Sequence, residues 1–304
     1  MIRLFDLNND ITKIIPIIET SFGGTLDEEG RNYLQIVKNL YRNQEGFSLS
    51  NPMYSILPSE GLVFEEDGQV VGNLTLTKFL REGVFYYFIS NVAVLPRFRE
   101  RGIARQLTQA ALSYAKNNKA EIVFLQVREE NIPAYTLYIS LGFEVYTKRI
   151  TWQRINPQKL DLRGTLSKRK RRDWATQRTW FAKMHPELVR MFFDIEDHVF
   201  QPNFVGQLFF WKRSYGCSHF SIFNEKQIGF FTLNKSLFDN LNVWLAPDPD
   251  CRTECIQKII PWALEKGKSA RGFRINYPAD LDFMVFQSAG FSAMSRLVWM
   301  TKSL

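Results

Sequence analysis

Asn91-Val92-Ala93-Val94-Leu95-Pro96-Arg97-Phe98-Arg99-Glu100-Arg101-Gly102-Ile103-Ala104 joins an apolar, β-type run to a helix through a basic loop. The strand stops at Pro96, and the helix opens at Gly102. The first turn of a helix carries N–H groups without intrahelical partners and the positive end of the helix dipole. A diphosphate is the kind of ligand such a turn holds. Gly102 has no Cβ to keep a phosphate from its backbone, and Ala104 is nearly as small. Arg97, Arg99, Arg101 and Arg105 add positive charge around the turn. The same residues also fit a surface loop that is merely basic. The pattern lacks the lysine and second glycine of a triphosphate P-loop, and the Gly-x-Gly-x-x-Gly of a dinucleotide site is absent.

Outward from this stretch, apolar spacing predicts an alternating α/β unit. Ile2 to Phe5 reads as a strand, and Asp10 to Phe22 and Leu26 to Arg42 as helices, with Asp10 as N-cap of the first. Gly61 to Glu66 and Val70 to Phe79 form a hairpin about Asp67-Gly68. Phe85 to Val94 is a strand rich in aromatic and β-branched residues. Gly102 to Asn117 is amphipathic, with Ile103, Leu107, Ala110, Ala111 and Tyr114 on one face. Ile122 to Val127 is a buried strand, Ile132 to Leu141 a helix with Pro133 in its first turn, and Glu144 to Trp152 a closing strand.

The second half repeats the first. Asp67-Gly-Gln-Val-Val-Gly72-Asn-Leu-Thr-Leu matches Asn224-Glu-Lys-Gln-Ile-Gly229-Phe-Phe-Thr-Leu. Asn91-Val-Ala-Val-Leu-Pro96 matches Asn242-Val-Trp-Leu-Ala-Pro247, and Tyr138-Ile-Ser-Leu-Gly142-Phe143 matches Phe286-Gln-Ser-Ala-Gly290-Phe291. Lys148-Arg-Ile-Thr-Trp152 matches Ser295-Arg-Leu-Val-Trp299. Two domains are expected, over 1–155 and 175–304, with a basic linker over 156–174. Aligned at Pro96 and Pro247, Arg99 falls opposite Asp250, Gly102 opposite Thr253, Ala104 opposite Cys255 and Tyr138 opposite Phe286. The second loop is acidic, so this copy is expected to be degenerate and to bind no diphosphate.

Arg99-x-x-Gly102-x-Ala104 after Val92-Ala-Val-x-Pro96 resembles the acetyl-CoA-binding motif of the GNAT superfamily of N-acetyltransferases. Asn131-x-x-Ala134-x-x-x-Tyr138-x-x-x-Gly142-Phe143 resembles its second signature. The resemblance implies an α/β (α+β) fold of two tandem GNAT-like domains, each a mixed, mostly antiparallel sheet flanked by helices. It implies acetyl-CoA as cosubstrate and a primary amine as acceptor, with no metal. Val92, Ala93 and Val94 would pair with the pantetheine arm. Arg99, Glu100, Arg101, Gly102, Ile103 and Ala104 would hold the pyrophosphate through their backbone, and Asn131 would touch the cosubstrate near its pantetheine and phosphates. Tyr138 would be the catalytic acid that protonates the leaving thiolate; read without the motif, it is a half-buried helix tyrosine. Members that act on protein N-termini often carry a glutamate base where this chain has Gln126, which cannot take a proton. Glu129 and Glu130, just beyond the strand of Gln126, read as solvated loop charges or as the base, and a water chain to bulk solvent is the other route. A protein that senses acetyl-CoA or acts as a scaffold on the same fold is the alternative reading.

Composition sets bounds on the rest. The chain has 304 residues, 45% hydrophobic and 23% charged, enough for two packed domains. Met1-Ile-Arg-Leu-Phe-Asp6 carries charge too early for a signal peptide, and the apolar run Ile14 to Ile18 is far shorter than a membrane span. Three cysteines, Cys217, Cys251 and Cys255, do not make a disulfide framework, and a cytoplasmic setting is expected. Net charge is +8. Lys168-Arg169-Lys170-Arg171-Arg172 could contact an acidic partner or be a solvated linker, and no nucleic-acid motif accompanies it. Asp194, Glu196, Asp197 and His198 form a polar cluster that reads as an exposed helix face or as an anionic seat for a cationic amine.

Overall fold

The computed structural model describes residues 1–24, 26, 28–42, 60–154, 161–193, 195, 217–235 and 240–304. The cluster Asp194, Glu196, Asp197 and His198 lies outside the described residues, as do 156–160 of the expected linker. Contacts divide the chain into two units, Met1–Tyr146 with Val298–Leu304, and Thr147–Leu297.

The first unit runs β1 (Ile2–Leu4), α1 (Leu7–Phe22), α2 (Glu28–Arg42), β2 (Glu60–Glu66), β3 (Gln69–Arg81), β4 (Val84–Val94), α3 (Ile103–Asn117), β5 (Ala120–Arg128), α4 (Ile132–Ser140). Its sheet follows the order β1-β2-β3-β4-β5. Every pair is antiparallel except β4 with β5. Asp67 and Gly68 both have positive φ, the backbone a tight two-residue hairpin needs. Successive strand residues point to opposite faces, and the core divides accordingly. Leu62, Val71 and Val94 pack with Ile103, Leu107 and Tyr138 on the α3–α4 face. Val63, Val70 and Ala93 pack with Ile14, Ile17 and Leu34 on the α1–α2 face.

Asp10 is not the N-cap expected of it. α1 begins at Leu7, and the buried Asp10 carboxylate accepts from the Asp6 N–H at 2.9 Å and from the Arg3 guanidinium at 2.6 and 2.9 Å. Those bonds hold its pKa below the ordinary carboxylate value.

The second unit repeats the order. It runs β6 (Glu144–Arg154, from Thr147 onward), β7 (Thr165–Lys168), α5 (Trp174–Met184), α6 (Glu187–Phe192), β8 (Ser218–Asn224), β9 (Lys226–Lys235), β10 (Asn240–Pro247), α7 (Arg252–Lys266), β11 (Gly272–Pro278), α8 (Phe283–Ser288) and the first half of β12 (Ser292–Ser303). Strand order is β6-β11-β10-β9-β8-β7, and β10 with β11 is the parallel pair. β7, within the expected linker, pairs with β8. Lys168, Lys170, Arg171 and Arg172 are exposed on and after this terminal strand, where cations discourage further strand pairing.

The contact units depart from the sequence halves at their closing strands. β6 comes from the first half, yet its residues 149–154 pair with Pro278–Phe273 of β11. β12 comes from the second half, yet it neighbours β5, and Leu304 N donates to Glu121 O at 3.0 Å. The repeated tryptophans follow. Trp152 stacks on Phe286, ring centroids 5.1 Å apart, and Trp299 stacks on Phe124 at 6.4 Å. Arg149 shows why β6 suits the second unit. Its buried guanidinium donates to Asn276 Oδ1, to Asn276 O at 3.1 Å, to Met184 O at 3.0 Å and meets His185 Nδ1 at 3.0 Å. The matching Arg296 is exposed, with its guanidinium 5.1 Å from the Phe283 ring centre. Burial pulls the pKa of Arg149 down to about 9, so it stays cationic at neutral pH and must keep those acceptors. His185 is held neutral by burial and by the Arg149 charge.

Trp299→Ala removes a side chain that is 1% exposed and should cost about 3–5 kcal/mol of stability. Hydrogen exchange should accelerate first in Ala120–Arg128. Acceleration confined to the strands of Thr147–Leu297 would contradict the placement of β12.

Candidate active site

The first unit opens where β4 leaves β5. Their parallel register runs from Phe85–Ala120 to Ile89–Leu125 and ends there. On the other side β4 stays paired with β3, but through a bulge. Thr75 faces Ser90 and Asn73 faces Ala93, so β4 spends three residues where β3 spends two. Asn91 sits in this bulge with φ 50°, a left-handed backbone that asparagine tolerates better than most residues. The buried Asn73 amide donates to Asn91 O at 2.7 Å, and the Asn91 amide reaches Thr75 Oγ1 at 3.4 Å. The bulge re-aims Val92–Val94 and leaves their β5-facing edge open.

Beyond β4, Pro96–Phe98 form a 3-10 turn, and Arg99 Nε ties the loop back to Val94 O at 3.0 Å. Glu100 and Gly102 have φ 62° and 76°. Gly102 caps α3 without any side-chain bond to the first-turn amides. A Cβ on Gly102 would meet only Gln106 Nε2 at 3.9 Å, so backbone conformation, not packing within the chain, calls for glycine here. Left-handed residues in a turn before a helix make the amide-lined concavities that bind anions.

α4 supplies the opposite wall. Asn131 caps it, accepting from Ala134 N at 3.3 Å. Tyr138 is 6% exposed and lies edge-on to Phe143, centroids 5.8 Å apart. Burial pushes its phenol up to about 12, so it is protonated throughout the neutral range. A cavity of 540 Å³ unites these parts. Val92, Ala93, Val94, Arg99, Glu100, Gly102, Ile103, Ala104, Asn131 and Tyr138 all line it. Of the loop residues singled out from sequence, Arg97 and Arg101 do not; the Arg101 guanidinium bonds Glu66 at 2.7 Å. Sequence reasoning missed Ser21 and Phe22 at the end of α1, which also line the cavity. Arg99 reaches Ser21 Oγ at 3.4 Å, a contact that no local pattern announces. Arg105 lines the cavity too and donates to Ser140 Oγ at 2.7 Å. Neither Glu129 nor Glu130 is part of the lining, and Glu130 pairs with Arg128 at 3.5 Å. Among the described residues no group of acidic, histidine or cysteine side chains could hold a metal ion.

The cavity fits acetyl-CoA in kind: an open strand edge for an amide-bearing arm, uncapped helix amides for a diphosphate, and a buried phenol at the inner end. A sequence profile for the acetyltransferase (GNAT) family matches residues 31–143. The ribosomal protein bS18-alanine N-acetyltransferase of Salmonella typhimurium is 32% identical over 30% of this chain and 67% of its own.

The chain belongs to the GNAT acetyltransferase family.

The N-alpha-acetyltransferase RimI of Mycobacterium tuberculosis is 32% identical over 29% of this chain and 54% of its own length. The chain thus spans about half of that relative. A tandem GNAT protein from the clavulanic acid biosynthesis pathway matches 100% of this chain and 98% of its own, with a TM-score of 0.55 and 14% identity. The GNAT fold is therefore present twice, in tandem.

The second unit has filled the matching place. The landmark is a glycine under the helix. A Cβ on Gly72 would lie 3.1 Å from Ile103 and 3.3 Å from Leu107; one on Gly229 would meet Cys255 and Ile259. Ile103 therefore matches Cys255. Both units also open a 3-10 turn with proline, at Pro96 and Pro249. Aligning Pro96 with Pro247 is two residues out, because Pro247 still belongs to β10 and pairs with Gly229. α7 starts three residues before Cys255, so helix stands where the first unit has its loop. The charge there is internal as well. The Asp282 carboxylate accepts from Arg252 Nε at 2.7 Å, Thr253 Oγ1 at 2.6 Å and Tyr277 OH at 3.0 Å. Phe286 takes the place of Tyr138, edge-on to Phe291 at 6.2 Å.

Gly102→Val should weaken CoA binding at least tenfold, since a branched side chain enters the concavity and left-handed φ disfavours it. Calorimetric titration of the unchanged chain should give one CoA site. Two equivalent sites, or unaltered affinity in Gly102→Val, would contradict the assignment.

Proposed function

We propose that this chain is an N-acetyltransferase that moves acetyl from acetyl-CoA to a primary amine by direct attack in a ternary complex, using the first unit alone. The observation that carries this reading is the convergence of the open β4 edge, the Arg99–Ala104 loop and the Tyr138 phenol on one cavity. Acetyl-CoA supplies an activated acyl group with a thiolate as its leaving partner.

The residues divide the work. The backbone of Val92 and Val94 pairs with the pantetheine arm as an added strand would, and a backbone N–H near Val92 stabilises charge on the carbonyl oxygen. Amides from Arg99 to Ala104 hold the pyrophosphate at the start of α3. Tyr138 donates its proton to the departing sulfur; burial keeps it in the acid form that this role needs. Glu100, exposed on the loop, is the only carboxylate among the cavity-lining residues. The acceptor therefore reacts when it arrives as a free amine. An α-amine, with a pKa of about 8, meets this condition at neutral pH far better than a lysine side chain at about 10.4. The relative from Salmonella typhimurium is named for alanine N-acetylation of ribosomal protein bS18 and that from Mycobacterium tuberculosis for N-alpha-acetylation, which supports a polypeptide N-terminus as acceptor.

Two measurements test this. Tyr138→Phe keeps the ring that Phe286 already shows the framework accepts. Acetyl-CoA affinity should hold while kcat falls roughly 10²-fold or more. Full activity of that variant on a verified acceptor would refute the acid. Second, with a peptide acceptor, kcat/KM should rise about tenfold per pH unit below pH 8 and level off above it, following the acceptor's own deprotonation. A rise centred near pH 4–6 instead would reveal an enzymic base.

A further inference from the structure

The chain's net charge of +8 is not spread evenly. Gly164 to Pro186 holds seven cations, Lys168 to Arg172 with Arg178 and Lys183, against one acid, Asp173. Six of the eight net charges therefore lie in this segment, and the rest of the chain is close to balanced. The fold brings the basic run against α5 of the second unit. β7 ends at Lys168, a 3-10 turn follows over Arg171–Asp173, and α5 begins at Trp174. Arg169 closes the corner. Its guanidinium donates to Gln177 Oε1 of α5 at 2.6 Å and lies 5.8 Å from the centre of the Trp174 ring. Asp173 is too little to neutralise the group. Its carboxylate accepts from the Lys170 N–H at 3.2 Å and lies 3.7 Å from the Arg172 guanidinium, and its side chain is only 14% exposed. Lys168, Lys170, Arg171, Arg172, Arg178 and Lys183 are all exposed. Protection of a sheet edge accounts for Lys168 alone, since the other cations lie beyond β7. Like charges set this close repel one another, and a polyanion relieves that repulsion.

The neighbouring side chains say which polyanion. Among the described residues of this segment no large apolar side chain is exposed, so it lacks the anchors with which a basic helix enters a lipid interface. Trp174 is half-buried at the head of α5, between Arg171 and Arg172 on one side in sequence and Arg178 on the other. Cations with an aromatic ring among them match a strand in which phosphates alternate with bases. An acidic peptide would use the charge and leave the ring idle. The exposed side of α5 between Arg178 and Lys183 carries Ala175, Thr179 and Ala182, small residues that let a strand lie close. We propose that this face binds single-stranded nucleic acid: its cations take successive phosphates without reading sequence, and Trp174 is the aromatic surface for a base.

Fluorescence anisotropy of an end-labelled oligouridylate, about 16 nucleotides long, titrated with the full chain tests the face. Log affinity should fall linearly with log salt, as counterions leave the phosphates. The triple variant Lys170→Gln, Arg171→Gln, Arg172→Gln should bind about tenfold or more weakly at about 100 mM salt. Its salt slope should be shallower by about 2, the share of three phosphates on a single strand. The three side chains are exposed, so the variant should keep the melting temperature and CoA affinity of the unchanged chain. No binding at about 50 mM salt, or unaltered affinity and slope in the variant, would overturn the proposal. So would polyglutamate of equal charge, or vesicles of phosphatidylglycerol, binding as tightly as the oligonucleotide. The first result would make the face a seat for acidic polypeptide, the second a seat for anionic lipid.

Discussion

The bulge at Asn91 is the constraint on which the first unit turns. Without the extra residue, β4 would run on in register between β3 and β5, and every backbone group along it would be used within the sheet. With it, Ala93 and Val94 keep their pairing to β3, while the pairing of β4 with β5 ends at Ile89. A left-handed non-glycine residue costs on the order of 1–3 kcal/mol. Two amide bonds, from Asn73 to Asn91 and from Asn91 to Thr75, help offset that cost. The open edge, the turn at Pro96 and the start of α3 then follow in sequence within a dozen residues, and Tyr138 closes the far side. The cavity thus grows from a defect in a sheet, stabilised by Asn73, Thr75 and Asn91, which are not part of its lining.

The two units show how one frame can keep or lose a site. Both retain the parallel pair, the proline turn and the glycine beneath the helix. The second adds a helical turn where the first has its loop, and it sets Asp282 against Arg252 and Thr253. A side chain 3% exposed, fixed by three short bonds, already supplies the anion that the helix start favours. An internal carboxylate at that place competes with any external phosphate without translational cost. The second unit keeps the frame, and it holds β6, a strand of the chain's first half, through the bonds of Arg149 to Asn276, Met184 and His185.

Much of this is legible in the residues themselves. Hydrophobic period marks nearly every element of the first unit, and the paired motifs around Gly102 and Tyr138 mark the cavity that both residues line; the roles proposed for them, phosphate binding and proton donation, would demand particular residue types at particular spacings. What is illegible shares a cause: it depends on partners distant in sequence. Asn91 fits an ordinary strand pattern, and only the buried Asn73 opposite makes it a bulge. The closing strands carry the same Arg-x-x-Trp, so neither announces its unit until Asn276, Met184 and His185 surround Arg149. The basic run at Lys168 reads as a linker because a four-residue strand, Thr165–Lys168, is too short to show a clear period. Ser21 and Phe22 reach the cavity only through the packing of α1 on the sheet.

Hydrogen exchange of the full chain with and without CoA tests the central claim, that one bulged strand and one loop make the only acetyl-CoA site of the described structure. Protection should appear over Val92–Val94 and Arg99–Gln106, and over Asn131–Tyr138, with no change over Pro247–Ile256. Protection of the second loop, or none at Val92–Val94, would contradict it.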